Sequence, residues 1–478
     1  MIKCKLGSEL NLEVIMTEKL VNELRSLVGV QNVKLGEEVP RKNWSDWSGY
    51  RPTKPKILLL PKSVAEVSSI LKFCNDRMLP VVPQGGMTGL VAGAHPQEDE
   101  IAISLERMSG IQEVDCVSGT ITALAGTTLE EIQRVALENE FLCGIDLGAR
   151  GTCTIGGNVA TNAGGNHVIR YGMTRDNIRS MQVVLANGQV IESKNKMVKN
   201  NTGYDWSHLF IGSEGTLGLI TSVTLVLHPI YSGVESALIQ LRDTAAAISL
   251  LRHLERKLPN GLLTFEALWK QFYAMAVDVV GTRVPFEQKD KVYVLIETPM
   301  VSGNDGDLVD ILEEMMTAGY IEDAVVAQSE AERKSFWSLR ESVYEHPHFY
   351  PIVIGFDISI PLDQMEKAIV SLESEVSLRL SDVPWVVFGH LADSNIHVNF
   401  MPKLVDAKIR EKIESLIYKI VEKFRGSISA EHGIGRMKAP YLNLSRSKSE
   451  IELMKQIKRT FDPNGILSPN RIFLAQKS

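Results

Sequence analysis

The side chains best suited to chemistry gather in the last third of the chain. The segment VPWVVFGHLADSNIHVNF, 383–400, reads as a strand over 383–390, a polar turn at 392–395 and a second strand over 396–400. A hairpin of this kind brings His390, at the end of one strand, near His397, at the start of the next. Alternation along the strand puts Asn399 on the same face as His397. Further on, SISAEHGIG, 427–435, supplies Glu431 and His432 beside a pair of glycines. Two imidazoles and one carboxylate are a common set for a divalent cation with positions left open. A polar hydrogen-bonded cluster is the other reading of the same residues. His95, His208, His228 and His253 stand singly and read as surface or packing residues; His167, inside a glycine-rich segment, reads as structural.

A third piece is FWSLRESVYEH, 336–346. On a helix, Trp337, Arg340 and Tyr344 share one face. An arginine held there can grip a carboxylate with two hydrogen bonds. An intrahelical pair with a nearby glutamate accounts for it equally well.

Glycines mark the other region of interest. PQGGMTGL, 83–90, follows a strand and bares consecutive backbone N–H groups, which suits a pyrophosphate. It is neither the GxGxxG turn of a dinucleotide fold nor a Walker loop, since no GK[ST] follows. The longer GTCTIGGNVATNAGGNHVIRYGMTRDNI, 151–178, has small residues at nearly every step, with Thr161 and Asn162 between two glycine pairs. Such a backbone can lie flat against a ring system. IGSEGTLGLI, 211–220, leads small residues into a strand.

The elements that must carry these residues fall into two textures. Over 56–230 strand and helix signals alternate: strands at 56–61, 80–83, 120–125, 181–186 and 189–192, and helices at 63–76 and from a capping box at 127–130 to about 140. Asn187-Gly188 predicts a hairpin. After His228-Pro229 glycine thins out, helices are expected at 245–256 and 307–318, and a strand at 292–297. The tail from 430 returns to loops rich in glycine, proline and asparagine. The expected layout is therefore one domain over 1–230, a second over 231–429 inserted into it, and a segment 430–478 that returns to the first.

Composition bounds what such a protein can be. The chain has 478 residues, enough for two or three domains. A net charge of -7 and a pI near 5.9 argue against nucleic acid or an anionic membrane as the main partner. The start, MIKCKLGSELNLEV, lacks an apolar core of signal-peptide length, and no apolar run reaches the roughly 18 residues of a membrane span. Cys4, Cys74, Cys116, Cys143 and Cys153 form no CxxC, so reduced thiols and a cytoplasmic protein are expected.

In this order and spacing the three glycine-rich segments closely resemble the FAD-binding domain of the vanillyl-alcohol oxidase/p-cresol methylhydroxylase superfamily. The resemblance implies an α+β fold: a two-part FAD-binding domain with an inserted α+β substrate domain built on an antiparallel sheet. It implies that Gln84, Gly85, Gly86, Thr88, Gly89 and Leu90 wrap the FAD pyrophosphate. Cys153, Gly156, Gly157, Asn158, Thr161, Ala163 and Gly164 would line the rest of the flavin site, and Ile220 would offer its backbone to the adenine end. No position matches a covalent attachment site, so the FAD is expected to be non-covalent.

GHLADSNIH and SAEHGIG resemble the C-terminal domain of FAD-linked 2-hydroxy acid dehydrogenases, which act on D-2-hydroxyglutarate, D-lactate or glycolate. The family motif reads GHxGDGNxH; Ala392 and Ser394 replace two of its glycines, at turn positions. The resemblance implies metal ligands His390, His397 and Glu431, a catalytic base His432, and Arg340 on the substrate carboxylate, with Asn399 and Tyr344 nearby. SPNRIF, 468–473, resembles a tail segment that returns to the flavin, with Asn470 and Arg471 where glycine and lysine are usual. The implied reaction is metal-assisted oxidation of a D-2-hydroxy acid to the 2-oxo acid, with hydride passing to FAD and Zn²⁺ or Mn²⁺ fitting the N/O ligands. An electron-acceptor protein or quinone is the implied partner, and a homodimer is an expected assembly. Members that act on 2-hydroxyglutarate carry a lysine where this chain has Gly355, which leaves D-lactate and D-2-hydroxyglutarate both open. Two rival readings are a metal-dependent hydrolase, which would be colourless, and a non-catalytic subunit that keeps the flavin fold for assembly.

Overall fold

The computed structural model describes residues 18–258, 261–280, 285–287, 290–300 and 307–474; Cys4 and the expectation for the N-terminal segment lie outside them. The chain divides into two compact units. The first holds residues up to 165, then 171–230 and 431 onward; the second holds 166–170 and 231–430.

Among the described residues the first unit contains two sheets. In one, Ile57–Leu59 and Val81–Gln84 run parallel to either side of Ile101–Ser104, and Val33–Leu35 pairs antiparallel with Ile57–Leu59. Parallel pairing buries both faces, which is why ILL and the IAI of Ile101–Ser104 are unbroken apolar runs. The helix Val64–Asp76 covers this sheet with Val67, Ile70, Leu71 and Cys74. Ser63 starts it by accepting the Glu66 N–H, a cap worth about 1 kcal/mol. The second sheet is antiparallel around the long strand Leu219–Pro229, flanked by Thr120–Leu124 and Ile178–Val184. Val190–Glu192 joins Ile178–Val184 through the Asn187-Gly188 turn, where Gly188 has φ 83°.

One local detail differs from the expected capping box. Thr128, not Thr127, caps the helix Leu129–Glu138, accepting the Glu131 N–H. Thr127 is fully buried instead, its hydroxyl donating to the Leu124 carbonyl at 2.7 Å and accepting the Gly110 N–H at 2.9 Å. A buried hydroxyl tied to two loops cannot also serve a helix end.

The second unit is built on one antiparallel sheet of seven strands among the described residues. Its order is Asp323–Val326, Gly233–Leu241, Val292–Met300, Thr264–Trp269, Trp385–His390, Asn395–Phe400 and Ile354–Ser359. The helices Thr244–Lys257, Lys270–Val280, Glu330–Glu341 and Leu362–Arg379 belong to this unit. Its core joins Phe272, Tyr273, Tyr293, Phe336, Leu339 and Phe388. No helix among the described residues is long and apolar enough to cross a membrane.

Candidate active site

In the second unit the expected hairpin forms. Trp385–His390 and Asn395–Phe400 pair antiparallel, and the turn between them passes through Ser394 at φ 64°. Serine takes that left-handed conformation where the family motif has glycine, so the substitution keeps the turn. The ring centroids of His390 and His397 lie 5.5 Å apart, and one nitrogen of each lies within 4.8 Å of the other. His397 is also 3.9 Å from a carboxylate oxygen of the fully buried Asp357, its cross-strand partner. Asn395, His397 and Asn399 share a strand face by alternation. Both polar side-chain atoms of Asn395 are buried without a hydrogen-bond partner, so this face has polar groups that protein does not satisfy. The donor set, imidazole nitrogen with carboxylate oxygen, fits a divalent ion.

Arg340 lies on the helix Glu330–Glu341, which Ser329 caps. Its guanidinium is buried, stands 4.7 Å over the Phe388 ring, and donates from Nε to Glu266 Oε2 at 2.6 Å. Phe388 lies 5.0 Å from His397, ring to ring. The partner of Arg340 is thus a buried carboxylate from a distant strand, and not the helical neighbour that the sequence left open. The other oxygen of Glu266 takes His390 Nδ1. Burial alone would raise the Glu266 carboxyl; its contacts with His390 and Arg340 outweigh it and hold it down to about 2.

Tyr344 departs from the expected helix face. The α-helix ends at Glu341 and a tighter turn, Ser342–Glu345, follows, which rotates Tyr344 to a position 57% exposed. Trp337 keeps to the helix and donates to Glu297 at 2.7 Å, on a carboxylate that Arg333 also grips through two nitrogens. Gly355 faces Asn399 across the sheet, and a Cβ there would sit 2.9 Å from Asn399 Oδ1.

The glycine-rich loops lie in the first unit. The strand Val81–Gln84 feeds the loop at Gly85–Gly86, which packs against the start of the helix Ile155–Thr161. A Cβ on Gly85 would meet Thr154 Oγ1 at 2.5 Å, and one on Gly86 would collide with the Thr152 carbonyl. Thr154 Oγ1 and Asp46 Oδ2 are buried without hydrogen-bond partners, and Asp46 Oδ2 faces Gly89 at 3.3 Å from where a Cβ would stand. Bare glycine backbone beside unsatisfied oxygen atoms fits a phosphate- and hydroxyl-rich cofactor. The Gln84 side chain is committed to structure, donating to the Asn43 and Ala94 carbonyls, so only its backbone is open to a ligand. Cys153 is buried and accepts from Asn158, and its thiol is pushed up by burial. Thr161 bonds its own helix at the Gly157 carbonyl. Ile220 lies inside Leu219–Pro229 beside a register shift. Thr88 and Leu90 sit on the first of these loops, Gly156 lies in the first turn of the helix Ile155–Thr161 and Ala163 just after it, and Gly164 comes so close to Glu431 that a Cβ would meet its carboxylate at 2.7 Å. Gly165 donates its N–H to Glu431 at 3.3 Å.

Glu431 and His432 follow Ala430, whose N–H donates to Asp357 at 3.1 Å in the second unit. Behind them Glu214 accepts the N–H groups of Ile434 and Gly435. Burial pushes the Glu214 carboxyl upward, against those donors and the charge of Lys438. In the tail, Asn470 takes a left-handed conformation, and Arg471 is fully buried on Glu100 and the Gly93 carbonyl, an anchor for the loop that follows the first glycine segment. Glu214, Glu266 and Asp357 were not singled out in the sequence. Their signal was a lone carboxylate inside an apolar or glycine-rich run, as in TFEALW.

The fold and these two groups of residues, each within its own unit, define a flavin-dependent oxidoreductase. The FAD binding domain family matches residues 55–194, and the family FAD linked oxidases, C-terminal domain, matches residues 232–472. The chain belongs to the FAD-linked oxidase family. It is 37% identical to the mitochondrial D-2-hydroxyglutarate dehydrogenase of Arabidopsis thaliana, over 96% of this chain and 82% of that protein. It is 36% identical to a putative mitochondrial D-lactate dehydrogenase of Schizosaccharomyces pombe, over 89% and 83%. The solved structure of p-cresol methylhydroxylase with substrate bound superimposes with a TM-score of 0.78 at 15% identity, over 96% of this chain and 97% of that one, which shows the shared fold.

The expectation of a cytoplasmic protein is overturned, because these relatives are named mitochondrial. Reduced, scattered cysteines mark a reducing compartment and do not tell one such compartment from another.

Proposed function

We propose that this chain oxidises a D-2-hydroxy acid, of the D-2-hydroxyglutarate or D-lactate kind, to the 2-oxo acid. The observation that carries the reading is the pair of imidazoles, His390 and His397, set on one sheet with the buried Arg340 guanidinium behind Phe388. The named activities of the two relatives support the same substrate class. Residues 1–230 and 430–478 take the cofactor role and 231–429 the substrate role.

FAD, when bound along the glycine-rich loops, supplies the two-electron acceptor. A divalent ion, Zn²⁺ or Mn²⁺, would be held by His390, His397 and Glu431 and would lower the cost of a developing alkoxide by several kcal/mol. Arg340 pairs with the substrate carboxylate through the edge of the guanidinium that Glu266 does not use. Asn399 orients the acid by hydrogen bonding. His432 takes the hydroxyl proton, a step worth about 10²–10⁴-fold when the base is well placed.

The test is an anaerobic absorbance spectrum before and after adding D-2-hydroxyglutarate, D-lactate and D-malate in turn, with the L-forms as controls. Bleaching of the flavin bands by one D-acid alone names the substrate. Flavin bands that no acid bleaches would sink the substrate class, and a protein that stays colourless after reconstitution with FAD would bring the hydrolase forward.

A further inference from the structure

We infer that Glu266 is a positioning residue that sets the metal-facing nitrogen of His390 and the carboxylate-gripping edge of Arg340 at the same time. The inference rests on the metal and substrate roles proposed above. Glu266 lies in the middle of the sheet, on Thr264–Trp269, directly across from His390 in the pairing with Trp385–His390. It is 1% exposed, so water does not share its oxygens. Those oxygens are divided: Oε1 meets His390 Nδ1 and Oε2 accepts Arg340 Nε at 2.6 Å.

Each bond fixes one consequence. A proton on Nδ1 shared with the carboxylate leaves the imidazole with its lone pair on Nε2, the form and the atom that can bind a cation. A guanidinium anchored through Nε keeps its two terminal nitrogens side by side, as a planar fork for a carboxylate. Glu266 also balances the buried arginine charge, so the ion pair and the ligand geometry are one device. One carboxylate thereby sets the distance between the place that holds the acid's hydroxyl and the place that holds its carboxylate.

Glu297 provides the contrast. It is equally buried, on the neighbouring strand Val292–Met300, and holds Arg333 and Trp337 without touching either histidine. Loss of Glu297 removes a comparable ion pair from the same sheet and leaves His390 alone.

The experiment compares the FAD-loaded wild type with Glu266→Gln, Glu266→Asp and Glu297→Gln. Zn²⁺ and Mn²⁺ are titrated calorimetrically into chelator-stripped protein, and KM and kcat are read separately for the D-acid that bleaches the flavin. Glu266→Gln is expected to weaken metal binding by about 10–100-fold and to raise KM, with the flavin spectrum unchanged. Glu266→Asp, which keeps the charge, is expected to restore part of both. Glu297→Gln is expected to lower thermal stability with wild-type metal affinity. Wild-type metal affinity and KM in Glu266→Gln would overturn the inference while leaving the proposed function standing. If Glu266→Gln fails to fold, wild-type affinity in Glu266→Asp, or equal losses in Glu297→Gln, would overturn it as well. A wild type that binds neither ion would overturn the metal role and this inference together.

Discussion

Gly435 is held by Glu214: its N–H donates to Glu214 Oε2 at 2.7 Å, and the N–H of Ile434 donates to Oε1 at the same distance, across 221 and 220 residues of chain. These two charge-assisted bonds fix the loop that directly follows His432. Replacement by alanine leaves two partly buried N–H groups without an acceptor, at about 1–3 kcal/mol each. Glu214→Ala is therefore expected to lose about 2–6 kcal/mol of stability by denaturant unfolding, and its kcat is expected to fall further than its FAD content. Unchanged kcat in a protein of reduced stability would show that the loop needs no such anchor.

The two imidazoles predict a separation of cofactors. His390→Ala and His397→Ala change only the second unit, so each is expected to keep FAD at wild-type stoichiometry and to lose the divalent ion. Elemental analysis beside the 450 nm absorbance, at which flavins generally absorb, checks both in one sample. Joint loss of metal and flavin would mean that the histidines act on folding.

Arg340 predicts that charge alone is not enough. Lysine has no Nε branch with which to hold Glu266 and no planar fork. Arg340→Lys is expected to reduce kcat/KM for the D-acid by about a hundredfold, near 3 kcal/mol, mostly through KM. A variant within threefold of the wild type would remove Arg340 from the substrate site.

Gly157 separates steric need from cofactor need. It lies in the helix Ile155–Thr161, and a Cβ there would sit 3.4 Å from Thr154 Oγ1, a tolerable approach. Gly157→Ala is expected to fold with at least wild-type stability, since alanine favours helix by about 1 kcal/mol, and yet to bind FAD more weakly. Gly86→Ala, which collides with backbone, is expected to fail at folding itself. Wild-type FAD affinity in Gly157→Ala would move the flavin away from this helix.

His95 predicts a pH dependence. The ring is fully buried, and burial, with the charges of Arg436 and Arg471, lowers its pKa to about 4. The unfolded chain, with the ring near 6.5, binds the extra proton first, so the neutral ring's contribution is whole above about 6.5 and fades as pH falls towards 4. The stability gap between wild type and His95→Asn is expected to narrow by up to about 3 kcal/mol over that window. A gap independent of pH would contradict the shifted ring.

Much of this was legible in the sequence because the signals are local. Asn187-Gly188 set its hairpin, the apolar alternation around His390 and His397 set the other, and the glycine segments marked the flavin fold through a resemblance that the family matches bear out. What was hidden is non-local. Glu266 is one carboxylate in TFEALW, and nothing near it in sequence says that its partners are His390 and Arg340. The early end of the Arg340 helix was hidden for the same reason, since SVYEHP keeps a helical look until the tighter turn takes over at Ser342.

The pairing of Val81 with the segment at Ile466–Ser468 has a consequence for biosynthesis. The Val81 N–H donates to the Ile466 carbonyl and the Ser468 N–H donates to the Val81 carbonyl, each at 2.8 Å, with Ile466 and Leu467 in the first unit's core. A ribosome delivers those residues after the whole of the second unit. Until then the strand that carries the first glycine loop has an open edge, while the middle unit already has its whole sheet. The nascent chain therefore completes the second unit's sheet before the first unit's sheet can close, and a chain without Ile466–Ser468 would be left with the Val81 edge exposed.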